Sequence, residues 1–397
     1  MFDLFEKLES IKQKNLLRKI YEFSTPQETQ VEINNKSMLL FSSNNYLGFS
    51  TDALLKENAI NTLKDFGVGS GGSRLTTGTT ILHTECENKI SKFKNKEASI
   101  LYSSGYMCNV GSISSLFYED YLIFSDELNH SSLITGIKLC KSKSIIYKHS
   151  NMDDLKTKLK ENLNHKKKVI ITDGVFSMDG DICKLSDLIS LCYEFNCYLY
   201  IDDAHSTGVL GKLGKGTCEH FNIEDERIIL MGTGSKALGC VGGFISSSSL
   251  IINYLKNTSR TFIFSTSQTP ENAKTLSNAI TKCETYVLER EYLKEISIYT
   301  REKLKEIGFC VLDGITPIIP VILFSEEVCL SFQKHLMEQG IFVTPIRPPS
   351  VPKNSCRIRI TLSCNHTYEN INYLIECFKK LYLKYEKIGG ILWKTKL

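Results

Sequence analysis

Apolar residues recur along this chain with two periods, and the switches between them lay out its elements. Phe2, Leu4, Phe5, Leu8, Ile11, Leu16 and Leu17 stand at near-helical spacing, which predicts an amphipathic helix over residues 1 to about 25, with Arg18 and Lys19 near its end. VEINNKSMLLF then places Asn34-Asn35 between two short apolar runs, the pattern of a hairpin. FSSNNYLGFS follows as a polar loop holding Asn44, Asn45 and Tyr46. Next, a helical stretch (DALLKENAINTLKDF) runs into GVGSGGSRLTTGTT, with five glycines and Arg74.

From about residue 85 helical stretches alternate with short apolar runs at 98–102, 121–124, 168–172, 198–201 and 228–231. Such alternation predicts an α/β fold with a parallel sheet, whose ligands sit beyond the carboxyl ends of the strands. After about residue 285 the pattern changes to a long helix (CETYVLEREYLKEISIYTREKLKEIG), then strands, a second helix, IFVTPIRPPSVP, SCRIRITLS and a closing helix from about 369 to 385. The predicted organisation is an N-terminal helix and hairpin arm (1–45), a large domain (46–285) and a smaller α/β domain (286–397) that packs with the arm.

Composition narrows the function classes. Hydrophobic residues make up 42% and charged residues 23% of the 397, ordinary for a globular protein, so the length permits a large core and a closed cleft. The net charge of +4 is too small, and the lysines too scattered, to imply nucleic acid. Fourteen cysteines occur without a C-x-x-C pair, and MFDLFEKLES carries charge where a signal peptide would be apolar, which together predict reduced thiols in the cytoplasm. No apolar run approaches the roughly 20 residues that span a bilayer.

Each of the five strands is followed by groups able to do chemistry: Gly105-Tyr106, His130, Ser177, Asp202 with His205, and Lys236. A lysine after a strand is ordinarily a solvated cation. Here IILMGTGSKALGCVGG flanks it with small residues, which would let a planar group approach, and burial would favour its neutral, nucleophilic form. Such an amine can form a Schiff base with an aldehyde such as pyridoxal phosphate (PLP). Asp202, ending an apolar strand, either caps the next helix or pairs with a cation such as a protonated ring nitrogen. His205 lies one turn on, within reach of a phenolic oxygen, and His130 is placed to stack on a ring face or to serve the loop. Gly105 and Tyr106 open a helix whose N–H groups suit an anion. Ser177 and Thr233 are loop hydroxyls that gain meaning only beside the others.

The motifs SNNYLG, GSGGSR, DGVFSMDGD, DDAHSTGV, the T-x-x-K of Thr233 to Lys236, and FSTSQTP together resemble the α-oxoamine synthases, over residues from about 16 to 385. That resemblance implies a PLP-dependent transferase of fold type I, like aspartate aminotransferase, working as a homodimer with shared active sites. It implies that Lys236 is the Schiff-base lysine and proton carrier, that Asp202 pairs with the ring nitrogen, His205 with the phenolic oxygen, and that His130 stacks on the ring. Ser177, Thr233, Gly105 and Tyr106 would hold ring and phosphate, and Thr266 the phosphate of the neighbouring subunit. Arg359, the second arginine of RIRIT, would bind the amino-acid carboxylate as a fork, with Asn44 also at the substrate.

Members of this family differ in amino acid and acyl donor. IRPPSVP (346–352), GSGGSRLTTG and FSMDGD most resemble the branch that condenses L-alanine with a pimeloyl thioester, carried on CoA or acyl carrier protein, into the biotin precursor 8-amino-7-oxononanoate. In that branch the positions of Arg18 and Ser350 meet substrate, and Arg347 would meet the far end of the acyl chain. The alternatives are glycine with an acetyl thioester or another pair of the family. Outside it stand an NAD-dependent dehydrogenase built on GVGSGGSR, which lacks the required preceding strand, and a metal hydrolase using His130, His205 and Asp202, which lacks the spacing. Asp173, Asn45 and Ser235 depart from the family pattern, which has Glu, Asp and a glycine-rich loop there.

Overall fold

The computed structural model describes residues 3–387, so Phe2 and positions 388–397 lie outside the described residues. The chain divides into two compact units: one of Leu47–Ser177 and Ile182–Arg290, the other of the residues up to Tyr46, Met178–Asp181, and those from Glu291 onward.

The N-terminal helix is shorter than its periodicity predicts. It covers Leu4–Gln13 and buries none of its residues. Asn15 takes a left-handed conformation (φ 55°) and breaks the run, so Arg18 and Lys19 lie on a non-helical segment. The hairpin forms as expected: β1 (Gln30–Ile33) and β2 (Lys36–Leu40) pair antiparallel around Asn34 and Asn35, both at positive φ, which asparagine tolerates.

The larger unit is built on β3 (Ala98–Tyr102), β4 (Tyr121–Asp126), β5 (Lys143–Tyr147), β6 (Lys167–Asp173), β7 (Cys197–Asp202), β8 (Ile228–Thr233) and β9 (Gly243–Ser247). Their order is β3-β9-β8-β7-β6-β4-β5, and β9 alone runs antiparallel to its neighbours. Two strands, β5 and β9, were missed by pattern: KSIIY begins polar and half exposed, and GFISS is small and polar, because Ser246 and Ser247 are buried there. Alternate residues feed two cores. Ile123, Ile171, Tyr200 and Ile229 pack on one face, and Leu122, Phe124, Ile170, Leu199 and Leu230 on the other. With both faces covered, the strands read as unbroken apolar runs.

In the other unit, β10 (Cys310–Val311), β11 (Ile318–Phe324), β12 (Ile341–Phe342), β13 (Thr344–Ile346) and β14 (Cys356–Thr361) form two small sheets, β10-β11-β14-β13 and β1-β2-β12. The long helix predicted after about residue 285 is two helices, Pro270–Thr285, which lies in the larger unit, and Val287–Ile307, parted at Tyr286. Met178–Asp181 belongs to this unit because the Arg357 guanidinium pairs with Asp179 and the Thr316 hydroxyl donates to the Gly180 carbonyl. Gly180 is at φ +74°, and a side chain there would stand 2.3 Å from the Ile318 carbonyl oxygen. Among the described residues no helix is long and apolar enough to cross a membrane.

Candidate active site

The nine residues assigned to the cofactor all fall in the larger unit, and most lie where parallel strands end. Asp202 closes β7 and is buried. Its Oδ1 accepts the Ala204 N–H at 2.9 Å, turning the chain toward His205, and its Oδ2 accepts from Asn109 Nδ2 at 2.6 Å. The same amide nitrogen donates to Ser132 Oγ at 2.8 Å, while Asn109 Oδ1 accepts from the Tyr200 hydroxyl at 2.8 Å. Ser132 Oγ lies 2.7 Å from His130 Nδ1. The Ser132 backbone N–H donates to the same Nδ1 at 3.3 Å, so Nδ1 accepts and the neutral imidazole's hydrogen lies on Nε2.

His130 caps the helix Ser131–Leu139, and its backbone N–H donates to Asp173 Oδ2 at 2.8 Å. Asp173 ends β6 directly beside Asp202 in the parallel register. Burial first, and the Asp202 charge second, push the Asp173 carboxyl well above the usual carboxylate range, against the His130 hydrogen bond and the Lys236 charge. Desolvation pulls His130 below the ordinary imidazole value even though part of the residue is exposed; Lys236 adds to the shift and Asp202 opposes it. Asp202, Asp173, His130 and Lys236 therefore share one electrostatic neighbourhood.

Lys236 is half buried in a loop that closes on itself after β8. The Thr233 hydroxyl donates to the Gly242 carbonyl at 2.5 Å, Gly234 N–H donates to the same oxygen at 3.0 Å, and Gly239 N–H donates to the Lys236 carbonyl at 3.0 Å. Gly239 sits at φ +66° with its α-carbon against Phe49 and Ser50, where a side chain would meet the Ser50 nitrogen at 2.4 Å. Ser235 is exposed, and its N–H donates to Thr233 Oγ1 at 3.1 Å. Ser177 is half buried just after β6, and His205 is buried one turn beyond Asp202.

Gly105 and Tyr106 open the helix Gly105–Leu116, in which Ser104 Oγ caps the Met107 N–H at 3.2 Å. A side chain on Gly105 would stand 3.0 Å from Met231 Cε and 3.4 Å from Thr233 Oγ1, so the helix starts close against the end of β8. The Tyr106 hydroxyl pairs with Thr135 at 3.0 Å. Thr266 is exposed, with its carbonyl accepting from Ser103 Oγ at 2.8 Å. This set fits PLP by its chemistry: a helix N-terminus for phosphate, a buried carboxylate for a protonated ring nitrogen, imidazoles and hydroxyls for the ring, and a lysine for the aldehyde.

The five residues assigned to substrate fall in the other unit. Arg359, on β14, is buried and directs Nη1 and Nη2 to Asn44 Oδ1, each at 3.2 Å, and Nη2 to the Tyr46 hydroxyl at 3.4 Å. Burial raises the Tyr46 phenol, with the Arg359 charge opposing. Arg18 and Ser350 are exposed, and Arg18 Nη2 lies 3.5 Å from Ser350 Oγ. Arg347 is different: it is buried and its guanidinium donates to the backbone carbonyls of Asn15 and Leu17.

Sequence reasoning missed Asn109, Ser132 and Lys94. Asn109 stands one helical turn after Gly105, a spacing that carries it beneath the same strand ends. Lys94 had no signal: it is wholly buried, 3.2 Å from Asp203, and donates to Thr207 Oγ1 at 2.8 Å. Asp203 also accepts from the Thr217 hydroxyl, so the turn that follows Asp202 is pinned from behind.

The family model of aminotransferase class I and II matches residues 36–378. The chain belongs to the aminotransferase class I and II family. Within it, the chain is 45% identical to an 8-amino-7-oxononanoate synthase of Lysinibacillus sphaericus, over 96% of this chain and 98% of that one. It is 39% identical to 8-amino-7-oxononanoate synthase 2 of Bacillus subtilis, over 95% and 97%. Among solved structures, serine palmitoyltransferase from Sphingomonas wittichii superposes with a TM-score of 0.90 at 26% identity, covering 98% of each chain. The 8-amino-7-oxononanoate synthase of Francisella tularensis superposes with a TM-score of 0.77 at 28% identity, covering 88% of this chain and 99% of that one. Fold type I, as expected from the motifs, is the fold, and PLP is the cofactor.

Proposed function

We propose that this protein is a PLP-dependent acyltransferase that condenses L-alanine with a pimeloyl thioester, releasing 8-amino-7-oxononanoate, carbon dioxide and the free thiol. The observation that carries the reaction class is the set Asp202, His205, His130 and Lys236 on one strand edge. The near full-length relatives named 8-amino-7-oxononanoate synthase support the choice of substrates and a place in biotin synthesis.

Bound to that edge, PLP supplies a sink for the electron pair left when an amino acid's α-carbon gives up its proton. Asp202, held by Asn109 and Ala204, keeps a proton on the ring nitrogen. His205 donates toward the phenolic oxygen, and His130 covers a ring face and keeps water from it. Gly105 and Tyr106, with Thr233 and Ser177, hold phosphate and ring. Lys236 Nζ carries the proton from the alanine α-carbon and later returns one. Arg359, oriented by Asn44 and Tyr46, takes the alanine carboxylate as a fork. The net change joins that α-carbon to the acyl carbonyl carbon, releases the thiol, and breaks the bond to the carboxyl group.

The protein works as a homodimer in the cytoplasm in this reading, with Thr266 serving the neighbouring subunit's phosphate. Exposed Phe264 and Thr266 beside Ser103 suit an interface, and fourteen free cysteines suit a reducing compartment. The test is mass spectrometry of the product from purified protein, PLP, L-alanine and pimeloyl-CoA, with glycine, serine and acetyl-, succinyl- or palmitoyl-CoA exchanged in turn. Fastest turnover with alanine and pimeloyl-CoA is expected; preference for another pair rejects the assigned substrates. Light scattering of the eluted protein checks the dimer.

A further inference from the structure

The segment between the N-terminal helix and the hairpin is fastened at two points, and Arg18 lies between them. Toward the N-terminus, Arg347 Nη1 donates to the Asn15 carbonyl, and Nη2 to the Leu17 carbonyl at 3.4 Å. Toward the hairpin, Tyr21 and Phe23 pack edge-on against Phe342 with ring centroids 5.1 and 5.5 Å away. The exposed Arg18 side chain reaches to 3.5 Å from Ser350 Oγ, and the Ser350 N–H donates to the Arg347 carbonyl at 3.1 Å. A closed circuit results: Arg347 holds the turn that presents Arg18, and its own backbone holds the serine that Arg18 meets.

Burying a guanidinium is unfavourable unless its donors are used. Arg347 is 7% exposed, and its Nη1 and Nη2 go to two carbonyls of the arm, those of Asn15 and Leu17, while its Nε has no hydrogen-bond partner. We infer that Arg347 is a positioning residue: it anchors the turn at 15–17 and thereby sets where Arg18 offers its charge to the acyl donor. The inference rests on the reading of Arg18 as the residue that meets that donor. On this inference the Arg347 guanidinium serves the arm rather than the donor.

A double-mutant cycle on the PLP-loaded enzyme tests this, with KM measured separately for pimeloyl-CoA and for alanine. Arg18→Ala and Arg347→Gln each raise the donor KM by about tenfold, the loss of one charge-assisted contact, and leave the alanine KM within about twofold. The double variant is no worse than Arg18→Ala by more than about twofold, because the anchor matters only through what it anchors. Arg347→Lys, which can still reach one carbonyl, recovers part of the loss and serves if the glutamine variant folds poorly. Limited trypsinolysis after Lys14 is faster in Arg347→Gln and unchanged in Arg18→Ala. Multiplying effects in the double variant would mean that Arg347 touches the donor directly, and overturn the inference. So would an unchanged rate of cleavage after Lys14. If Arg18→Ala leaves the donor KM at the wild-type value, the premise about Arg18 is what fails, and the inference falls with it.

Discussion

Replacing Asn109 with leucine removes one amide of nearly the same size and cuts three contacts at once. Asp202 Oδ2 loses its donor at 2.6 Å, Ser132 Oγ loses its donor at 2.8 Å, and the Tyr200 hydroxyl loses its acceptor at 2.8 Å. Tyr200 keeps Ser112 at 2.8 Å, so its loss is partial. The bond to the Asp202 carboxylate is charge-assisted, worth about 1.5–3 kcal/mol, and those to Ser132 and Tyr200 about 1 kcal/mol each. After the change, the Ala204 N–H still holds Asp202 Oδ1 while Oδ2 has lost the Asn109 amide. With Asp202 meeting the ring nitrogen, as proposed, the charge-assisted part appears in cofactor affinity, where about 1.5–3 kcal/mol is a factor of roughly 10–150. The assay is titration of cofactor-free Asn109→Leu protein with PLP, followed by visible absorbance, beside wild type and Tyr200→Phe. Tyr200→Phe leaves the Asp202 bond intact and is expected to stay within about threefold. A PLP affinity of Asn109→Leu within twofold of wild type would falsify the view that this amide orients Asp202.

Lys236→Ala is expected to lower turnover by at least about a thousandfold while the protein still takes up PLP, since it removes the group proposed to carry the α-proton; substantial turnover in product assays sinks the assignment. Arg359→Leu should raise the alanine KM roughly 10–100-fold with little effect on the donor KM, as the two proposed forked hydrogen bonds would be lost; an unchanged alanine KM places the carboxylate elsewhere. Asp173 binds its proton more tightly folded than unfolded, so the stability it contributes is present below the unfolded carboxyl value and is lost as pH rises through the raised folded value. Asp173→Asn should therefore gain melting temperature over wild type increasingly as pH rises above the ordinary carboxyl range, and parallel pH curves for the two proteins contradict this. His366 behaves in the opposite sense: burial lowers it to about 4, so stability present above the ordinary imidazole value of about 6.5 falls by up to about 3 kcal/mol as pH drops toward 4. Denaturant melts of His366→Gln should show a shallower acid loss than wild type.

What could be read from the residues alone was what depends on local period and on neighbours in sequence. Five strands buried on both faces declared themselves as apolar runs, and Asn34-Asn35 marked its hairpin. Parallel strands all end at one edge, so Gly105, His130, Ser177, Asp202 and Lys236 could be gathered from their places in the sequence. The strands β5 and β9 were hidden because half-exposed or serine-rich sequence does not look like a strand until a neighbour pairs with it. The N-terminal helix stopped at Gln13 because its apolar face finds nothing to pack on in the described chain, and periodicity cannot supply that partner.

Tertiary structure alone decided the contacts between residues far apart in the chain. Asn109 joining Asp202 to Ser132, Lys94 meeting Asp203, and Arg347 holding Asn15 and Leu17 span 93, 109 and 332 positions. No period encodes such separations. A side chain's type announces what it can do, but which of its donors remain to act on a ligand is settled only when burial forces each one to find a partner. That is why the chemistry of this chain could be read from its residues, while the bonds from Arg347 to the Asn15 and Leu17 carbonyls came only with the fold.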